Sequence, residues 1–173
     1  MADELLTKPV EQLTPEDMGK LLAVIETNHG TIKFKFFPKE APGHCRNFIK
    51  LAQRGFYNNL IFHRVIKGFM IQGGDPRGDG TGGPGWRVNA EFSKLPHLKG
   101  TVSMARSQDI NSAGSQFFIC LDRQDFLDGK YTVFGQVVLG QNVVDKIGGL
   151  PTSPTDRPLQ EARMLKVSIE LAS

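Results

Sequence analysis

From Leu21 onward the chain alternates apolar and polar positions with a period of two. Ile32, Phe34 and Phe36 interleave with Thr31, Lys33 and Lys35, the pattern of a half-buried strand. Leu21–Thr27 precedes it as a partner strand, and Asn28-His29-Gly30 between them suits a tight hairpin turn. The period then changes. Cys45, Phe48, Ile49 and Ala52 fall at i, i+3, i+4 and i+7, with Pro42 in the first turn. A helix is predicted there, with Gly55 as the residue that ends it. Short strands are predicted at Ile61–Ile66, Phe69–Gly73, Thr101–Ala105, Gln116–Cys120, Thr132–Leu139 and Leu165–Leu171. The last alternates Leu165, Val167, Ile169 and Leu171 with Lys166, Ser168 and Glu170. A second helix, about Asn142–Ile147, ends at Gly148-Gly149. Many short strands and two helices exclude βαβ repetition. They predict a mainly β domain, a closed or nearly closed antiparallel sheet whose mouths the helices cover.

Residues 1–20 break this pattern and are expected to form an N-terminal extension to a domain of residues 21–173. Thr14-Pro15-Glu16-Asp17 reads as an N-cap, a proline at N1 and acids at the positive helix end, which predicts one short turn. The remainder of the segment carries few apolar anchors and is expected to be mobile. It also holds five acids and two lysines, leaving a surplus of six positive charges on the rest of the chain. That surplus hints at acidic partners, yet a pI of 8.9 is too mild to argue for nucleic acid.

At 173 residues the chain fits one domain with a sizeable core. No apolar run approaches the ~20 residues that span a bilayer, so no membrane partner is expected. Asp3 and Glu4 stand where a basic leader region would be, which makes the cytoplasm the default location. Cys45 and Cys120 lie far apart with no CxxC, and two buried free thiols are expected.

Three motifs suggest chemistry that their surroundings do not support. Gly78, Gly80 and Gly83 match GxGxxG, but Pro84-Gly85 follows at once and no helical pattern lies beyond. The stretch suits a surface loop beside a site, with glycines letting a substrate backbone approach. His29, His44, His63 and His97 show no metal-ligand spacing, and neither metal nor cofactor is expected. Gly114-Ser115-Gln116 lacks the second glycine of a nucleophile elbow.

The most informative block is Phe62-His63-Arg64-Val65-Ile66-Lys67-Gly68-Phe69-Met70-Ile71-Gln72-Gly73-Gly74-Asp75. It sets Arg64 and Gln72 among apolar residues, and stranding either in a core would be costly, so a polar site is favoured. Three further blocks accompany it: Ser103–Arg106, Ser112–Ile119 and Phe126–Gly135. In this order they resemble the motifs of the cyclophilins, peptidyl-prolyl cis-trans isomerases, over about Leu21 to Leu171. The resemblance implies an eight-stranded antiparallel β-barrel capped by two α-helices.

By the same resemblance Arg64 is the catalytic cation, acting with Gln72, Phe69 and Phe118. Phe69, Met70, Phe118 and Leu127 would wall a proline pocket. Gln72 and Gln116 would bond substrate backbone beside Ala105 and Arg106, and Gly80, Ser107, Phe126 and Tyr131 would complete the groove. Without the motif, core packing is the default for the apolar members. Proline-containing peptides and unfolded or folding proteins are the implied partners, bound by a monomer. Many eukaryotic members carry Trp where this chain has Phe126 and His where it has Tyr131, so it looks like bacterial cytoplasmic members. Phe126 lacks the indole N–H, which predicts weakened cyclosporin binding with catalysis retained. Arg106 adds a positive charge that would bias sequence preference. The main competing reading is a module that docks proline-containing segments without turning them over; a general chaperone or nucleic-acid-associated domain is a third.

Overall fold

The computed structural model describes residues 4–172. Two one-turn helices, α1 (Glu4–Thr7) and α2 (Pro15–Met18), precede the sheet. α2 starts as its sequence dictates: Thr14 Oγ1 accepts from Asp17 N, and the Asp17 carboxylate accepts from Thr14 N, both at 3.0 Å. Lys8 adds its ammonium 2.8 Å from the same carboxylate, and this hydrogen bond first of all lowers the Asp17 pKa to about 2.

The segment is anchored where few anchors were expected. Leu13 and Met18 are fully buried in the main core, and Arg46 Nε donates to the Leu13 carbonyl.

β1 (Leu21–Thr27) and β2 (Gly30–Phe36) form the predicted hairpin, Thr27 facing Gly30 across a two-residue turn. α3 (Pro42–Gln53) follows, and Gly55 leaves it at φ +73°, a conformation that favours glycine. Next come β3 (Leu60–Ile61), β4 (Arg64–Ile66), β5 (Met70–Gly73), β6 (Thr101–Met104), β7 (Phe117–Cys120) and β8 (Val133–Leu139). α4 (Gln141–Gly148) and β9 (Arg163–Leu171) complete the chain.

All nine strands join one antiparallel sheet in the order β3-β9-β1-β2-β8-β6-β7-β5-β4. Its two end strands, β3 and β4, are consecutive in the chain, so the sheet curls until its ends meet at Phe62-His63. Here lies the difference from the expected eight strands. The run Ile61–Ile66 is not one strand: β3 pairs with β9 and β4 with β5. At the break Phe62 N donates to Ala162 O, and Val65 N to Asp156 O.

A second correction falls on β9, where a regular alternation placed Leu165 inward. A bulge opposite Glu26 and Thr27 skips Leu165, shifting the pleat by one residue. Met164 and Val167 take the buried positions, and Leu165 is 49% exposed.

Inside the barrel, the Phe48 ring on α3 packs among Phe34, Tyr57, Phe117 and Phe134, with centroids 4.9–5.7 Å away. Val143, Val144 and Ile147 of α4 are buried as well. Cys45 and Cys120 are both buried free thiols; burial raises both, Cys120 to about 12. No described helix is long and apolar enough to cross a membrane.

Candidate active site

Strand alternation places a second apolar cluster on the outer face of the sheet. Ile71, Phe117 and Ile119 point into the main core, while their neighbours Met70, Phe118 and Cys120 join Leu127 in a separate cluster. Ile66, Phe69, Ala105 and Tyr131 pack against it. The antiparallel register then sets polar groups beside this patch: Arg64 faces Gln72, Gln72 faces Phe118, and Phe118 faces Ser103. A single row across β4, β5, β7 and β6 therefore carries a cation, an amide and an aromatic ring.

Together these residues form a cavity of about 110 Å³ with the Arg64 and Gln72 side chains on its rim. Every apolar wall read from the motifs is there: Phe69, Met70, Phe118 and Leu127, with Ala105, Arg106 and Tyr131 beside them. Gln72, Ala105 and Arg106 also line a larger adjoining groove of about 630 Å³, which holds Gly80, Ser107 and Gln116. Phe126 lines neither. It is 57% exposed, with its ring 5.6 Å from that of Phe69.

The rim amides are oriented by a one-way chain of hydrogen bonds. Gln116 Nε2 donates to the carbonyls of Gly80 and Gly82, each at 3.0 Å, so its Oε1 must face Gln72. Gln72 Nε2 donates to that oxygen at 3.0 Å and presents its own Oε1 to Arg64 Nη1, 3.4 Å away. The chain begins at Asp75, which sequence reasoning did not single out. This carboxylate is 1% exposed and accepts from the backbone N–H groups of Arg77, Asp79 and Gly80. Gly82 passes so close that a Cβ would lie 2.1 Å from its oxygen. The glycine-rich stretch is thus a nest wrapped around a carboxylate, and no helix opens from it.

Three more residues were missed. His97 is fully buried, its ring stacked at 11° to Phe118 with centroids 6.1 Å apart. Its Nδ1 lies 3.1 Å from Asp128 and its Nε2 2.9 Å from Ser103 Oγ. Arg123, bonded to the Asp128 carboxylate, holds it well below the usual range, so the carboxylate accepts and Nδ1 carries the proton. Burial lowers the His97 pKa and keeps the ring neutral. Ser, His and Asp in this order make a nucleophile elsewhere. Here Ser103 is 0% exposed, and the trio instead ties the Leu127–Tyr131 wall to β6, whose Ser103 pairs with Phe118 on the neighbouring strand. The only sequence signal was a polar residue, Ser103, inside an apolar strand. Among the described residues no group of three or more His, Cys, Asp or Glu gathers where a metal would be held.

The chain is similar to known proteins in sequence and in fold. The family model described as cyclophilin type peptidyl-prolyl cis-trans isomerase/CLD matches residues 22–169. A peptidyl-prolyl cis-trans isomerase of Synechococcus elongatus is 55% identical over 114 residues, covering 66% of this chain and 78% of that protein. One from Arabidopsis thaliana is 43% identical over 150 residues, covering 84% and 91% respectively. Among solved structures, a Cryptosporidium parvum cyclophilin type peptidyl-prolyl cis-trans isomerase, crystallised in the presence of the dipeptide Ala-Pro, superimposes with a TM-score of 0.83. It is 37% identical, and the match covers 86% of this chain and 98% of that one.

Proposed function

This chain belongs to the cyclophilin-type peptidyl-prolyl cis-trans isomerases, and from that premise we propose that Arg64 is the group that lowers the barrier to rotation. Turning an X-Pro bond breaks amide resonance, a barrier of about 18–20 kcal/mol. In the twisted state the proline nitrogen regains its lone pair and becomes a better hydrogen-bond acceptor. A guanidinium at that point favours the twisted state over the planar one, and only such differential stabilisation speeds the step. Arginine suits the task because its planar donors stay protonated.

The proline ring would sit against Phe69, Met70, Phe118 and Leu127, which exclude water while the preceding carbonyl swings round. Gln72, already turned by Gln116, would hold the substrate backbone. The observation that carries the reading is the register of Arg64 opposite Gln72 on the rim of a small apolar cavity. The Ala-Pro dipeptide with which the Cryptosporidium parvum isomerase was crystallised supports proline-containing peptides as the ligand class. The exposure of Arg64 and of the loop beside it suits segments of unfolded or folding chains.

The test compares wild type with Arg64→Ala in a proline-peptide isomerisation assay. Arg64→Ala should lower kcat/KM about a hundredfold or more, as removal of a single preorganised donor does. Equal turnover by both proteins would remove the catalytic assignment. An inert wild type that still binds the peptide would make this a docking module.

A further inference from the structure

The larger groove beside the proline pocket is lined by three arginines, Arg77, Arg87 and Arg106, and by no acidic side chain. Arg106 belongs to both cavities and so stands where they join. Its guanidinium is fixed in place. Nε and Nη2 donate to the Lys130 carbonyl, Nη1 donates to the Ser107 carbonyl, and the group lies 4.5 Å over the Tyr131 ring. These partners are two backbone carbonyls and a ring face, none of them an acid, so the cation is held without being neutralised. Of the five guanidinium hydrogens three are used, leaving one on each Nη. Two such donors in one plane match the two oxygens of a carboxylate.

The acids nearby are committed elsewhere. Asp109 pairs with Arg87 at 3.2 Å. Asp75 is buried against three backbone N–H groups, and Asp79 accepts from Thr81 N and Oγ1. Arg77 makes no ion pair among the described residues.

We infer that this groove selects proline segments with a glutamate or aspartate close to the proline, and that Arg106 is the residue that sets the preference. The inference rests on the proline pocket being the site of isomerisation. A chain seated there must pass Arg106 on entering the groove, so a side chain within a few residues of the proline meets the preformed cation.

The experiment uses the full chain and a set of peptides built on Ala-Pro. Each carries Glu, Gln or Lys at one of the three positions before the proline or at the first after it. Exchange spectroscopy reads turnover, and chemical-shift titration reads binding. In wild type at low salt, at least one position should rank Glu over Gln over Lys, with about fivefold in kcat/KM between the extremes. Salt at 0.5 M, which shortens the screening length to a few ångströms, should erase the ranking. Arg106→Gln should bring the Glu-to-Lys ratio to near one in both readouts. Because the wild-type ranking involves no substitution, loss of folding in the variant would leave that comparison intact. A ratio near one at every position in wild type, with the Gln peptides turned over, overturns the inference and leaves the isomerase reading standing. No turnover of any peptide removes the isomerase reading instead, and the titrations then decide the charge preference alone.

Discussion

Gln72 donates its Nε2 hydrogen to Oε1 of Gln116 at 3.0 Å, and this contact links the rim of the small apolar cavity to a buried carboxylate. Asp75 shapes the loop, the Gly80 and Gly82 carbonyls aim the Gln116 amide, and that amide aims Gln72 toward Arg64. Asp75→Asn keeps the size but sets an amide donor against backbone N–H groups. Turned the other way, it still loses the charge they serve. The variant should retain its circular dichroism and lose about tenfold in kcat/KM, since each ~1.4 kcal/mol of lost alignment is one decade. Wild-type kinetics in this variant would show that the loop does not reach the cation.

Acid should weaken the fold before its carboxylates titrate. His44, His63 and His97 are buried, and burial is the first cause lowering the pKa of each. Their folded pKa values lie below the unfolded value near 6.5, so below that pH the unfolded chain binds protons that the native state refuses. Asp17 and Asp128 have the same sign, lowered by Lys8 and Arg123 respectively, but act in a more acidic window. Their contribution is complete above the ordinary carboxylate value near 4 and is lost only on going lower. Between pH 7.5 and 5.5 the histidines therefore dominate, at up to about 1 kcal/mol each. The urea midpoint should fall over that interval, and a flat profile would contradict the burial argument.

How much of this was legible in the chain depends on the range of the cause. Ile32, Phe34 and Phe36, or Cys45 through Gly55, are patterned by neighbours two to four residues away, and both elements form where the pattern puts them. The Leu165 bulge and the break at Phe62-His63 arise from pairing with distant strands, so a strictly local period overruns them. Arg64 and Gln72 stood out because polar residues in apolar runs need a reason. Asp75 and His97 did not, because their partners are assembled only by the fold: successive amides of a glycine-rich turn, and Ser103 and Asp128 from separate segments.

The segment before β1 should behave as part of the domain's core. Leu13 and Met18 are each fully buried. Leu13→Ala should cost about 2–5 kcal/mol, the range for a buried leucine. A loss near 3 kcal/mol would lower Tm by roughly 10 °C in a chain of this size. Isomerase turnover should persist below the new Tm, since neither residue lines the pocket. An unchanged Tm would mean that the segment contributes nothing to the core.

Cyclosporin offers a separate probe of Phe126. Its ring is 57% exposed and has no N–H to donate. Phe126→Trp should tighten cyclosporin about tenfold, the worth of roughly one hydrogen bond, while leaving peptide turnover within about twofold. A low-nanomolar dissociation constant for wild type would contradict the idea.

The seam at Phe62-His63 has a consequence for how this protein meets other chains. An open sheet ends in two strands with unpaired amides and carbonyls, and each is a template on which a stranger can add. Here those ends are β3 and β4, of two and three residues. The Phe62 amide between them and the Val65 amide within β4 already donate to the carbonyls of Ala162 and Asp156. An extended, sticky chain that meets this surface thus finds a groove beside the sheet and almost no open strand on which to stay.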